Sequence, residues 1–324
     1  MRFPQGRENR KIRRSKMQKT IARKAQFRGV GLHSGEPVLL TILPAPVNHG
    51  IVFVRTDLGR ARIPARWDLV KPSQLCTLLE NEDGVSVSTV EHVMAALAGT
   101  GLTNAVVEIS GPEVPILDGS SAPFVRGIGD AGIREQDAVL RAIRVLRPVE
   151  VQHGEGFARL SPADSLEINF DIDFTDAAIG HQEKRLNMAN GAFVRELMDS
   201  RTFCRLQDVE AMQKSGLALG GTFMNAVVID GDKVLSPGGL RHEDEAVRHK
   251  MLDAMGDLAL AGAPLLARYT GHRAGHAMTN KLLRALFAAP DAWEWVTLDK
   301  RQQKRLPGAG VIPKLAQMGE LAVA

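Results

Sequence analysis

Two side chains four residues apart are the first candidates for chemistry. His249 and Asp253 lie in Arg248-His-Lys-Met-Leu-Asp253-Ala-Met-Gly-Asp257. In a helix, such a pair projects from one face about one turn apart. An imidazole and a carboxylate so placed can clip a metal ion between them. A pair on a solvated helix face has the same spacing, so two residues alone leave both readings open. Val247, Met251, Ala254, Leu258 and Gly262 form the opposite, packable stripe.

His92, at the end of Ser88-Thr-Val-Glu-His92, is a candidate third ligand. Its neighbour Glu91 has two readings. Ser88-x-x-Glu91 fits a capping box that closes a helix N-terminus, and spacing alone favours this. The alternative makes Glu91 a general base beside a ligand histidine, as in other zinc hydrolases. The third piece is Gly271-His-Arg-Ala-Gly-His276, a loop whose glycines admit a ligand close to the backbone. Asp257, one turn beyond Asp253, is spaced to orient and charge an imidazole there. Other clusters carry less. The acids of His242-Glu-Asp-Glu245 are accounted for by the dipole at a helix start. Cys76 and Cys204 read as small buried apolar residues, and His49, His153 and His181 fall in polar loops with no role.

These residues need elements to hold them. Residues 38–43, 105–109, 166–174 and 226–230 read as strands, and residues 143–151 as a further alternation. Helices are expected at 88–97, 193–198, 244–260 and 277–288, the third stopped by Gly262-Ala-Pro264. Residues 111–123 and 176–190 read as loops. Strands and helices mix without regular βαβ alternation, and no GxGxxG follows a strand, so the fold class is α+β. The expected boundary near residues 136–142 gives an N-terminal domain over 17–138 and a C-terminal one over 139–324. No internal repeat is visible in the sequence.

Composition excludes several classes. A chain of 324 residues with 44% hydrophobic and 24% charged residues is that of a soluble globular protein. No apolar run approaches the ~20 residues that cross a bilayer, and no secretory leader pattern is present. Two cysteines cannot build a disulfide framework, which suits a reducing, cytoplasmic setting. The formal charge of +4 misleads. Residues 1–28 hold eleven of the 41 Lys and Arg against Glu8 alone, leaving 30 basic and 36 acidic side chains beyond them. A body of that sign is a poor partner for a phosphate backbone, so no nucleic acid is expected. Residues 1–16 read as a basic, solvated, dispensable extension ahead of Met17.

Taken in order, Gly31-Leu-His-Ser-Gly-Glu36, Ser88-Thr-Val-Glu-His92, Pro115-Ile-Leu-Asp-Gly-Ser120, Ser200-Arg-Thr-Phe203, Val247-Arg-His-Lys-Met-Leu-Asp253, Gly256-Asp257 and Gly275-His276 are more than coincidence. From about residue 17 onward the chain resembles the UDP-3-O-acyl-N-acetylglucosamine deacetylases, a family of lipid A biosynthesis. The resemblance implies two similar domains of sheet layered with helices, with the site between them. It implies Zn2+ on His92, His249 and Asp253, Glu91 as general base, and Thr202 polarising the acetyl carbonyl. His276, held cationic by Asp257, would protonate the leaving amine, and Lys250 would neutralise nearby charge. His33 and Lys250 would meet the diphosphate of the UDP-linked, acylated glucosamine, and Phe174 its uracil. Phe203 and an apolar insert near 205–228, including Phe223, would wall a passage for the acyl chain. Leu206, Val209, Met212, Leu217, Leu219, Phe223 and Val227 equally suit a small hairpin-and-helix core. A monomer is expected.

The chain departs from the family pattern in places. His242 and Ala246 replace aromatic residues, Gly156 stands where some relatives have lysine, and Arg273 replaces a lysine. Rival readings are a zinc hydrolase of another amide and a non-catalytic UDP-sugar-binding protein.

Overall fold

A computed structural model describes residues 18–311. The basic extension expected at 1–16 lies outside the described residues, as does the chain beyond 311. The first half lays down β1 (Gln18–Ile21), β2 (Ala25–Val30), β3 (Pro37–Pro44), β4 (Ile51–Arg55), β5 (Ala61–Pro64), β6 (Val70–Lys71), β7 (Leu78–Glu80) and β8 (Ser86–Val87). It continues with α1 (Glu91–Thr100), β9 (Ala105–Ile109), α2 (Ala122–Ala131) and β10 (Ile133–Gln136). The second half opens with β11 (Arg141–Val145), β12 (Val149–His153), β13 (Gly156–Pro162), β14 (Glu167–Asp173) and β15 (His181–Asn187). Next come α3 (Ala192–Glu196), β16 (Phe203–Arg205), α4 (Leu206–Lys214), β17 (Val227–Asp230) and β18 (Lys233–Val234). The last described elements are α5 (Glu245–Ala259), β19 (Leu265–His272), α6 (His276–Phe287), β20 (Trp293–Thr297) and α7 (Lys300–Gln303). Helices and largely antiparallel sheets segregate without a parallel βαβ core, which is the α+β class expected.

The two halves repeat one topology. In the first, β2 pairs antiparallel with β3, β3 antiparallel with β9, β9 parallel with β4, and β4 antiparallel with β5. In the second, β12, β13, β19, β14 and β15 follow the same order with the same directions. The central strands β9 and β19 each follow a buried helix, α1 and α5, and precede another, α2 and α6. No named sheet draws strands from both sides of residue 138. The repeat is invisible in the sequence because what recurs is strand order and burial.

Alternation explains the strands that were legible. Val38, Leu40 and Ile42 of β3 all face the core, as the period of two requires. Three expectations are corrected. Residues 143–151 are two strands, broken between β11 and β12. The stretch 176–190 is no loop throughout: β15 pairs along its whole length with β14. As an edge strand it carries few apolar residues, and its half-buried side chains meet polar partners. Gln182 accepts from the Val247 amide at 3.0 Å, one of the N–H groups left open at the start of α5. Lys184 pairs with Asp244 at 2.7 Å. Finally, α2 was not anticipated, because its glycines and Pro123 masked the buried stripe of Ala122, Phe124, Val125 and Ile128.

Candidate active site

α1 and α5 cross face to face, and the crossing creates the site. Gly256 makes it possible: a Cβ there would lie 2.0 Å from the Glu91 carbonyl oxygen. The closeness sets His92, from the first turn of α1, against His249 and Asp253 on α5. One ligand atom from each of the three lies within 4.8 Å of the others. All three are buried, at 4%, 3% and 4% exposure. The solvated-face reading of the His249–Asp253 pair is therefore overturned, since both faces of α5 are covered.

The donor chemistry of this group fits a metal ion. His249 Nδ1 donates to the Ser200 carbonyl at 3.0 Å, which leaves the Nε2 lone pair facing the group. Such an outer hydrogen bond is how ligand imidazoles are oriented. Burial depresses the His249 pKa to about 4, against the pull of Asp253, so the ring is neutral at pH 7. Asp253 Oδ1 is buried with no hydrogen-bond donor, a costly arrangement unless something else binds it. Burial would raise the Asp253 pKa, yet His249, Lys250 and His276 hold it well below the usual carboxylate range. Lys250 Nζ lies 2.8 Å from Asp253 Oδ2. Asp253, Asp257 and Glu91 raise the lysine's pKa against the opposing effect of burial.

Glu91 stands beside the group and caps nothing. α1 has no side-chain cap, its preceding residue is Val90, and the Ser88 hydroxyl donates instead to the Pro112 carbonyl. The capping-box reading fails because Thr89 turns into the left-handed region at φ 57°, which removes Ser88 from the helix start. Glu91 Oε2 accepts from the Thr77 amide at 3.0 Å, and Oε1 points to His276 Nε2 at 3.8 Å. Burial raises the Glu91 pKa, with His276 and His92 opposing. The outcome is a carboxylate of raised basicity.

His276 is the first residue of α6 and not part of a loop. Its Nδ1 donates to Asp257 Oδ2 at 2.9 Å, leaving Nε2 toward Glu91 and Asp253. Burial alone would depress its pKa; Asp257, Glu91 and Asp253 outweigh it and push the value up to about 9. Asp257 is in turn held by the Thr77 hydroxyl at 2.6 Å. Thr77 thus steadies both Glu91 and Asp257 from one residue, and nothing in the sequence around it signals this.

A cavity of about 1000 Å³ opens above these groups. His33, Glu91, His92, Phe174, Thr202, Phe203, Phe223, His249, Lys250, Asp253 and His276 all border it, whereas Asp257 lies behind His276. Phe174 and Phe203 meet edge to face, 5.5 Å apart. His33 Nδ1 accepts from the Ala218 amide at 3.4 Å, so Nε2 carries the proton; that atom is buried and unpartnered. His153, given no role from sequence, stands at the end of β12 and also borders the cavity.

The insert does not form a core of its own. α4 has no buried residue, and Leu206, Val209, Met212, Leu217 and Phe223 border the cavity. Leu219 and Phe223 are exposed at 54% and 46%. Leu219 and Val227 do not border the cavity, Val227 being buried in β17.

Glu245 is more than a dipole acid. It is 1% exposed and accepts from the backbone and guanidinium of Arg201 and from the Arg241 amide. The pair anchors residues 200–202, which carry the Ser200 carbonyl and Thr202. Burial alone would raise the Glu245 pKa, but these donors lower it. Arg201→Ala is expected to destabilise the fold by about 3–5 kcal/mol, because it strands a buried carboxylate. The check is a fall in urea midpoint at unchanged slope; a loss below about 1 kcal/mol would mean that water replaces the guanidinium.

A His–His–Asp group able to hold a metal ion, beside a carboxylate of raised basicity and an imidazole on the floor of a cavity, is an arrangement suited to hydrolysis. The sequence matches the LpxC family, described as UDP-3-O-acyl N-acetylglycosamine deacetylase, over residues 18–288, and the chain belongs to that family. It is 48% identical over 286 residues to the UDP-3-O-acyl-N-acetylglucosamine deacetylase of Shewanella sp. (strain W3-18-1), covering 87% of this chain and 94% of that protein. The proteins of the same name from Shewanella baltica (strain OS155) and Shewanella oneidensis are each 47% identical over equal shares. No described helix is long and apolar enough to cross a membrane.

Proposed function

We propose that the protein hydrolyses the acetamide of a UDP-linked, 3-O-acylated N-acetylglucosamine, releasing acetate and the free amine, a step of lipid A biosynthesis in the cytoplasm. The observation that carries this is Glu91 and His276, 3.8 Å apart, beside the His92–His249–Asp253 group at the foot of a partly apolar cavity. His92 and His249 Nε2 with an Asp253 oxygen would hold zinc, three protein ligands being the pattern of a catalytic site. Bound there, the ion supplies a Lewis acid that acidifies water and polarises a carbonyl.

The side chains do the rest. Glu91 takes the proton of the attacking water as its oxygen bonds to the acetyl carbon. The Thr202 hydroxyl, at the cavity wall, donates to the developing oxyanion. His276 Nε2, kept charged by Asp257, gives its proton to the nitrogen as the C–N bond breaks. Lys250 offsets negative charge beside Asp253. His33 offers a neutral N–H to the diphosphate, and Phe174 a ring face or edge to uracil. Phe203 and Phe223, with the apolar face of α4, wall the acyl passage. We read residues 17–138 and 139–324 as two domains and the working unit as a monomer.

Acetate release by the purified protein tests the reading. Turnover of the UDP-acyl substrate is expected, with loss on chelation and recovery on adding zinc. Activity on simple acetamides without activity on the UDP-sugar would leave a hydrolase of another amide; binding without turnover would leave a UDP-sugar-binding protein. In the same assay, Phe223→Asp should weaken long-chain substrates most, since each buried methylene contributes about 0.8 kcal/mol.

A further inference from the structure

Glu113 has no part in the chemistry above, yet it is a carboxylate 2% exposed. No Lys or Arg pairs with it among the described residues. Its charge is met instead by three donors from two separate segments. Oε1 accepts from the His33 amide at 2.9 Å and from the Thr89 hydroxyl at 2.9 Å. Oε2 accepts from the Ser34 amide at 2.8 Å. Gly31 leaves the room, since a Cβ there would stand 2.3 Å from Oε2.

Both segments lead into the cavity. Thr89 is a β-branched residue in the left-handed region, a conformation that persists only when its surroundings impose it. Two residues later the chain delivers Glu91, and then His92. The other segment carries His33 and is itself joined to the insert: Leu219 donates to the His33 carbonyl at 3.1 Å and Gly220 to the Leu32 carbonyl at 3.0 Å. One carboxylate therefore ties the wall of the acyl passage to the turn that aims the base.

We propose that Glu113 is a positioning residue for the deacetylation, holding Thr89 in its left-handed turn and so placing Glu91 relative to substrate held by His33. An anion suits the task better than an amide. A glutamine would offer one accepting oxygen and turn an N–H toward another N–H. The inference rests on Glu91 being the base.

The test uses Glu113→Gln, Thr89→Val, their combination and Thr89→Ser in the metal-loaded enzyme. Misplacing a catalytic group by about 1 Å costs up to roughly 100-fold, so kcat should fall roughly 10- to 100-fold in each of the first two, with KM within about threefold. The double variant should be no worse than the poorer single one, because both break the same link. Thr89→Ser keeps the hydroxyl and should return kcat to within about threefold of wild type. Unchanged kcat in Thr89→Val, losses that multiply in the double variant, or Thr89→Ser as poor as Thr89→Val would each overturn the proposal. If Glu113→Gln does not fold, the two Thr89 variants decide. A wild type inactive on the UDP-acyl substrate would sink the functional reading itself. An active wild type with indifferent Thr89 variants would sink only the role of Glu113.

Discussion

Glu91→Gln is expected to lower turnover by roughly two to four orders of magnitude while the protein stays folded and keeps its metal. The amide preserves size and can still accept from the Thr77 amide, which Glu91 Oε2 now does at 3.0 Å. It cannot take a proton. His276→Ala should cost turnover comparably, with metal retained, because Nε2 is then missing from the amine side. The pH profile carries the same assignment. Burial raises the Glu91 pKa and a bound cation would oppose that; since the base must be ionised, activity should fall as pH drops through it. His276 must be protonated, so activity should fall as pH rises through its pKa. Burial lowers that pKa, but Asp257, Glu91 and Asp253 together raise it to about 9. A bound cation acts in the opposite sense, so the basic limb should lie at or below that value. His276→Ala should flatten this limb. Near-normal turnover in Glu91→Gln would remove it as the base and require another group in that place.

His249→Ala or Asp253→Ala should abolish bound metal and turnover together. Each removes one of three ligands, and Asp253→Ala also frees Lys250, now 2.8 Å from Oδ2. Chelation of the wild type should stop turnover yet leave the fold standing. The physical reason is that the ligands sit on helices already fixed by apolar packing. Val93, Ala96 and Leu97 of α1 and Val247, Met251, Leu252 and Met255 of α5 belong to one buried cluster that needs no ion. Metal content, acetate release and circular dichroism on the same samples give the answer. A chelated protein that unfolds as a zinc finger does would show that the ion is structural, with no open position for water.

Much of the candidate site is legible in the sequence, because its pieces lie within single turns of chain. His249 and Asp253 share a helix face by virtue of 3.6 residues per turn alone. The motif order that marks the family carries Glu91, His92, Thr202, Lys250 and His276 with it, and all of them border one cavity. Short apolar and β-branched runs exposed β3, β9, β14 and β17, and Gly262-Ala-Pro264 marked the end of α5.

What the chain could not disclose depends on contacts between distant residues. Ser88-x-x-Glu91 has the spacing of a cap, yet Thr89 is turned away by Glu113, 24 residues later. Gly256 reads as an ordinary helix glycine until α1 lies on it with the Glu91 carbonyl where a Cβ would be. Thr77 and Glu113 carry no motif of their own; each matters because two segments far apart in sequence end on it. β15 looked like loop because its inward positions meet polar groups of α5, and β-pairing is decided by the partner strand. Glu245 looked like a helix-dipole acid until Arg201, 44 residues earlier, came to lie against it. Local periodicity and spacing can be read from one segment at a time. Close approach, burial of charge and the sharing of hydrogen bonds exist only once the two halves of the chain have met.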